Sequence, residues 1–287
     1  MTKLFTITWL TLHEALRRKM VLAGLVLGVL FILLYDIGLL FLLNEARSKA
    51  GDLGMIQSFT MTQVYSFLLT VGLYVVHFLT IMLAIFASVD AISGEIKSHT
   101  MQTLVTKPVR RWEVVLGKWL GYAVMILAYL ALLGGGIFLS IYSVSGYVPP
   151  NVIPAMGLLA LEALVLLSLS LLLGTRLSTL TNGVVLFMLY GLAFIGSWIE
   201  QFGSLLQSHS ATNVGIVASL LMPVESLWSL AAYLLEPPLV HDLPSGLRVS
   251  PLLGIASVPS ANMVIYAVAY AGVMLALAVR AFSRRDL

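Results

Sequence analysis

The chain contains no cysteine, which rules out disulfides, zinc–thiolate sites and thiol nucleophiles. Charge is nearly as scarce. Asp, Glu, Lys and Arg make up 10% of the 287 residues against 60% apolar, and mean hydropathy is +1.00. A soluble domain is closer to half apolar and about a quarter charged. So little charge cannot cover a water-facing surface, so lipid must cover this one. The net charge of +3 and pI near 9.1 do not point to nucleic acid. The basic residues sit in short patches between apolar runs, the pattern of a topology signal rather than of a binding face.

Several chemical patterns are missing too. There is no G-x-x-x-x-G-K-[ST]; the only Gly-Lys, Gly117-Lys118, lacks a phosphate-cradling loop and begins an apolar run. The five histidines, His13, His77, His99, His209 and His241, are scattered without metal-ligand spacing. No metal site and no catalytic motif is expected. Gly134-Gly135-Gly136 falls inside an apolar run and reads as close helix packing or a kink. No cleavable leader is expected either: the first apolar run, Met20 to Leu43, is too long for a signal h-region and follows a basic segment.

What the chain does have is long apolar runs. Crossing the hydrocarbon core takes roughly 20 residues at about 1.5 Å each. Six stretches reach that length, at 20–43, 64–89, 113–145, 152–175, 182–203 and 261–280. With a cytoplasmic N-terminus, only Arg47, Lys49 and Arg248 of the 16 Lys and Arg fall outside, so 13 lie inside. Val214 to Leu235 is also apolar, but Pro223 and Glu225 interrupt it, and a seventh span would carry Arg280, Arg284 and Arg285 outside. Residues 204–260 are therefore expected to be an extracytoplasmic segment, with a short helix after Pro223 lying against the membrane or dipping into it.

Phe5, Trp9, Leu12 and Leu16 recur at helical spacing ahead of the first span. They predict an elbow helix over 1–19 lying in the membrane interface, with Arg17-Arg18-Lys19 at the headgroups. Between the second and third spans lies a cytoplasmic loop, 91–112. Ser93 can cap a helix there, Ile96, Met101, Leu104 and Val105 give it an apolar face, and Pro108 limits it to roughly 94–106. An amphipathic helix held between two spans suits the transmission of force from a soluble partner.

That loop resembles the signature of ABC-2 type transporter permeases. The matching positions are Gly94-Glu95, Thr100, Leu104-Val105, Thr106-Lys107-Pro108, Arg110 or Arg111, and Leu116-Gly117-Lys118. His99 stands where the family typically has glycine. The resemblance implies a single all-α integral membrane permease domain over 1–287, with six transmembrane helices, an N-terminal interfacial elbow helix and a cytoplasmic coupling helix. It implies that Glu95, Thr100, Leu104, Val105, Pro108 and Arg110 or Arg111 engage a cytoplasmic ABC ATPase. Two such ATPases and a second permease, identical or homologous, would complete an exporter. This chain would bind no cofactor itself, since ATP and Mg would sit in the ATPases. The implied location is the cytoplasmic membrane of a prokaryote, among lipids and away from nucleic acid, with both termini cytoplasmic. A membrane-embedded lipid-modifying enzyme and a structural membrane anchor are the alternatives; no catalytic motif supports the first and the specific loop disfavours the second.

Three ionisable residues lie within the spans: Glu162 near the middle of the fourth, His77 near the middle of the second, and Asp36 toward the outer half of the first. A carboxylate at a helix centre costs roughly 2.5–3.5 kcal/mol on insertion scales, so such a residue faces protein or a water-filled cavity. Glu162 is expected to be protonated, hydrated or paired with a neighbour such as His77, and either to pack or to line the pathway.

Overall fold

The computed structural model describes residues 3–49, 54–94, 110–237 and 259–284, and these form helices and short connections with no strand among them. In chain order the helices are α1 (Lys3–Leu16), α2 (Lys19–Lys49), α3 (Gly54–Ser88), α4 (Arg111–Ser145), α5 (Val152–Gly174), α6 (Thr179–Leu205), α7 (His209–Leu221), α8 (Val224–Leu235) and α9 (Asn262–Ser283). Helix is the form lipid permits, because it satisfies every backbone N–H and C=O within the segment. Six of these helices are long and apolar enough to cross a membrane: α2, α3, α4, α5, α6 and α9.

Local chemistry sets several of the ends. Gly146 closes α4 in the left-handed region (φ 68°), and its N–H donates to the Tyr142 carbonyl at 2.8 Å. Ser178 caps α6, its hydroxyl accepting from the Thr181 N–H at 3.4 Å. Pro223 breaks the chain between α7 and α8, which meet at 107°.

Helices α3, α4 and α5 form the centre: half or more of each apolar span is buried, against 11% for α2 and 17% for α9. The outer faces of α2, α6 and α9 carry exposed Leu, Val, Ile and Phe, as lipid requires. α1 crosses the first turns of α4, where glycine allows close approach. A Cβ at Gly117 would come within 2.6 Å of Ile7, and one at Gly121 within 2.8 Å of Thr11.

The pair α7–α8 folds back into the bundle. α7 lies along α6 on small residues: a Cβ at Gly203 would meet Ala211 at 2.7 Å, and Gly196 abuts Ala218. α8 is buried against α5, with Val224 through Ser229 all inaccessible. One end of α8 meets the start of α5, where Asn151 donates to the Leu234 carbonyl at 3.4 Å. Its other end, at Glu225, reaches the depth of Glu162. Within the expected extracytoplasmic segment 204–260, the described portion thus includes a helical pair that dips about halfway through the bundle.

Candidate functional site

Two polar constellations stand out, one at the middle of the bundle and one at the end where α3 stops and α4 starts. The central one gathers three titratable side chains from three helices. His77 on α3 places Nδ1 2.6 Å from Oε1 of Glu162 on α5, and both residues are essentially inaccessible. On its other side, Nε2 lies 3.5 Å from Oε1 of Glu225 on α8. That second contact is electrostatic rather than a formed hydrogen bond, because both of its atoms lack hydrogen-bond geometry to any partner among the described residues. Helical spacing supplies the walls. Tyr74, three residues before His77, stacks on the imidazole at a centroid distance of 5.9 Å, and Trp228, three after Glu225, lies tilted against it at 4.9 Å. The Tyr190 hydroxyl of α6 reaches Glu225, and the Trp198 indole reaches the Tyr74 hydroxyl.

Charge balance constrains this cluster. Two carboxylates and one imidazole sum to zero only when two protons are added to the fully deprotonated set. An unbalanced charge at such a site costs several kcal/mol in the low dielectric. The three side chains therefore form one compact polar unit, joined across three helices. Asp36 is not part of it. It sits half-buried beside Tyr35, whose hydroxyl donates to the Leu68 carbonyl at 3.0 Å. Leu68 is nine residues from His77, roughly 13 Å along α3.

The second constellation fastens the two ends of the 91–112 loop. Upstream, Arg18 at the α1–α2 corner is ion-paired to Asp90 and, at 2.7 Å, to Glu14. Ser93 shares a 2.9 Å hydrogen bond with Thr179 at the start of α6. Asn182 donates to the carbonyls of Val89 (3.0 Å) and Ser170 (3.1 Å), joining α3, α5 and α6. Downstream, the Arg110 N–H donates to Glu113, and the Arg111 guanidinium donates to the Ser283 carbonyl at 3.2 Å, tying α4 to the end of α9. Trp119 then donates to Ser168 at 3.0 Å, joining α4 to α5.

The sequence profile of ABC-2 family transporter proteins matches residues 5–287, all but the first four positions. The chain belongs to the ABC-2 transporter family. Among curated proteins, none matches it. As an ABC-2 protein it is a multi-pass membrane protein and a permease component of an ABC transporter.

Of the ABC-2 motif, Glu95, Thr100, Leu104, Val105 and Pro108 lie outside the described residues. Arg110 and Arg111 are described, and both make contacts within the chain. Gly117 has a packing reason, since α1 lies where its side chain would be. From the sequence, pairing with His77 is one of three options for Glu162, and the structure brings the two together. Glu225 is missed there as a third member, because it reads only as an interruption. The available signal was an ionisable side chain, with tryptophan one turn away, inside an otherwise apolar run. Asp90 was also missed, and only its distance to Arg18 makes it informative.

Proposed function

We propose that this ABC-2 permease works as an exporter, pairing with a second permease, identical or homologous, and with two cytoplasmic ATPases that bind ATP and Mg. The observation that carries the coupling part is the fastening of the 91–112 loop at both ends. Asp90 and Ser93 on one side, and Arg111 on the other, connect to the α1–α2 corner, the start of α6 and the end of α9, while Arg110 is held to the first turn of α4 through Glu113. A push on that loop is delivered beyond α3 and α4 to the α1–α2 corner, α6 and α9 rather than to a flexible tether. The coupling helix at about 94–106 docks on the ATPase through Leu104 and Val105, with Glu95 pairing to a basic residue of that partner. Ser93 caps it, Pro108 limits it, Thr100 faces the ATPase with the rest of the motif, and Arg110 or Arg111 flanks the contact.

This end of the bundle also collects the basic residues Arg17, Arg18, Lys19, Arg176, Arg280 and Arg284, which supports a cytoplasmic placement in a prokaryotic inner membrane. α1 serves as the interfacial elbow. Its inner face packs on α4, while Phe5, Trp9, Leu10 and Leu16 stay exposed for the headgroup region. Glu162 and His77 act along the pathway, where ATP-driven movement of α5 and α8 exposes their cluster. Co-purification tests this reading directly. Tagged permease should bring down the ATPase, and transport-coupled ATP hydrolysis should appear only when both are present. A permease that assembles with no ATPase would overturn it.

A further inference from the structure

We infer that the cleft between the α5–α6 turn and the end of α9 is a binding site for one anionic phospholipid. The cleft has a volume of about 820 Å³, within the roughly 300–1,000 Å³ of small-molecule sites. Its lining divides by depth. Arg176, in the turn after α5, and Arg280 and Arg284, at the end of α9, lie at the level where these spans end. Leu172, Leu173 and Leu277 lie about one turn deeper, where an acyl chain would run. Leu277 is 44% exposed on a helix whose span is mostly uncovered, so the cleft opens sideways to the bilayer.

The charge in the cleft exceeds what the helices themselves use. The two C-termini here, of α5 and α9, each carry about half a negative charge. Three guanidiniums line the cleft beside these ends, and none of the three has a carboxylate partner among the described residues. A phospholipid whose phosphodiester charge is not cancelled by its headgroup, as in phosphatidylglycerol, matches that positive lining. Guanidinium forks bind phosphate oxygens in pairs. An acyl chain covers the leucines, which neither free phosphate nor a soluble anion does. This inference depends on the membrane-spanning bundle, not on the direction of transport or the pairing of subunits.

The test uses the full chain reconstituted with equal phosphatidylglycerol and phosphatidylcholine, recovered in mild detergent, with retained lipid quantified by mass spectrometry. The unmodified chain should retain phosphatidylglycerol preferentially. The preference should fall roughly fivefold for each arginine removed in Arg280→Gln and Arg284→Gln, and fall less in Arg280→Lys, which keeps the charge but loses the paired contact. Leu173→Trp fills the cleft without touching charge, so it leaves the topology signal intact, and it should lower the preference as well. An unchanged preference in the arginine variants, or in Leu173→Trp, overturns the site. So does phosphatidylglycerol retention that stays normal while ATPase binding or self-association is lost, because the arginines would then belong to a protein interface.

Discussion

His77 and Glu162 are 85 residues apart in the chain and 2.6 Å apart in space, with both side chains sealed from solvent. Glu225 closes the other face of the same imidazole. A re-entrant helical pair is thereby held to the central helices by a polar cluster at mid-membrane depth. Unlike the apolar packing around it, this cluster is directional, and it fixes the register of α8 against α3 and α5.

Removing the partner of a buried charged group is costly, while an isosteric amide is not. Glu162→Ala is expected to destabilise the detergent-solubilised protein by about 3–5 kcal/mol, because it strands His77. Glu162→Gln keeps shape and a hydrogen bond and should cost about 1–2 kcal/mol. Thermal unfolding ranks the two. In the assembled complex, Glu162→Gln should lose cargo stimulation of ATP hydrolysis without loss of assembly. If stimulation is unchanged, Glu162 packs and does nothing more.

The coupling loop gives a second expectation. Leu104→Glu places a carboxylate in an apolar contact, and should reduce ATPase co-purification by tenfold or more, since about 1.4 kcal/mol is enough for that factor. Membrane insertion should be unaffected. Truncating Glu95 should cost transport more than expression. Normal coupled ATP hydrolysis in both variants would remove this loop from the mechanism.

Topology can be read without background labelling, because the chain has no cysteine of its own. Ser98→Cys and Ser283→Cys should be shielded from an impermeant thiol reagent in intact cells. Ser48→Cys and Ser245→Cys should react. Labelling at position 283 from outside is the result that a six-span arrangement does not survive.

The α6–α7 contact depends on missing side chains. Gly196 abuts Ala218 and Gly215 abuts Glu200, so a side chain at either position has no room without a backbone shift. Gly196→Leu should destabilise by about 1–3 kcal/mol or more. It should also loosen α7, measured as faster amide exchange over 209–221 than over α5. Gly191 has open space around it, so Gly191→Ala serves as the control and should be near neutral.

Arg18 and Asp90 join the α1–α2 corner to the loop, but Asp90 is 40% exposed, so water screens the pair. A double-mutant cycle with Arg18→Ala and Asp90→Ala should give a coupling of only about 0.2–1 kcal/mol in stability. The larger effect is expected in coupled ATP hydrolysis, where the contact sets the loop's position. Additive effects on that activity would leave Arg18 a topology signal alone.

Amino-acid composition and order determined the part of this protein that lipid dictates. Where roughly 20 consecutive residues are apolar, the bilayer leaves a helix as the only solution, so α2, α3, α4, α5, α6 and α9 could be read directly. The family motif was legible for a similar reason: it is a string of nearby residues, Gly94 to Lys118, that needs no folding to be seen. Tertiary structure decided the rest. Val214 to Leu235 is apolar whether it lies on a surface, crosses or turns back. Only the packing of α8 on α5 and the 107° bend at Pro223 distinguish these outcomes. Glu225 could not be joined to His77 from the sequence, because their meeting depends on how deep a broken helix reaches. Three side chains on three helices become one cluster through that depth alone, and depth is a property of packing rather than of residue order.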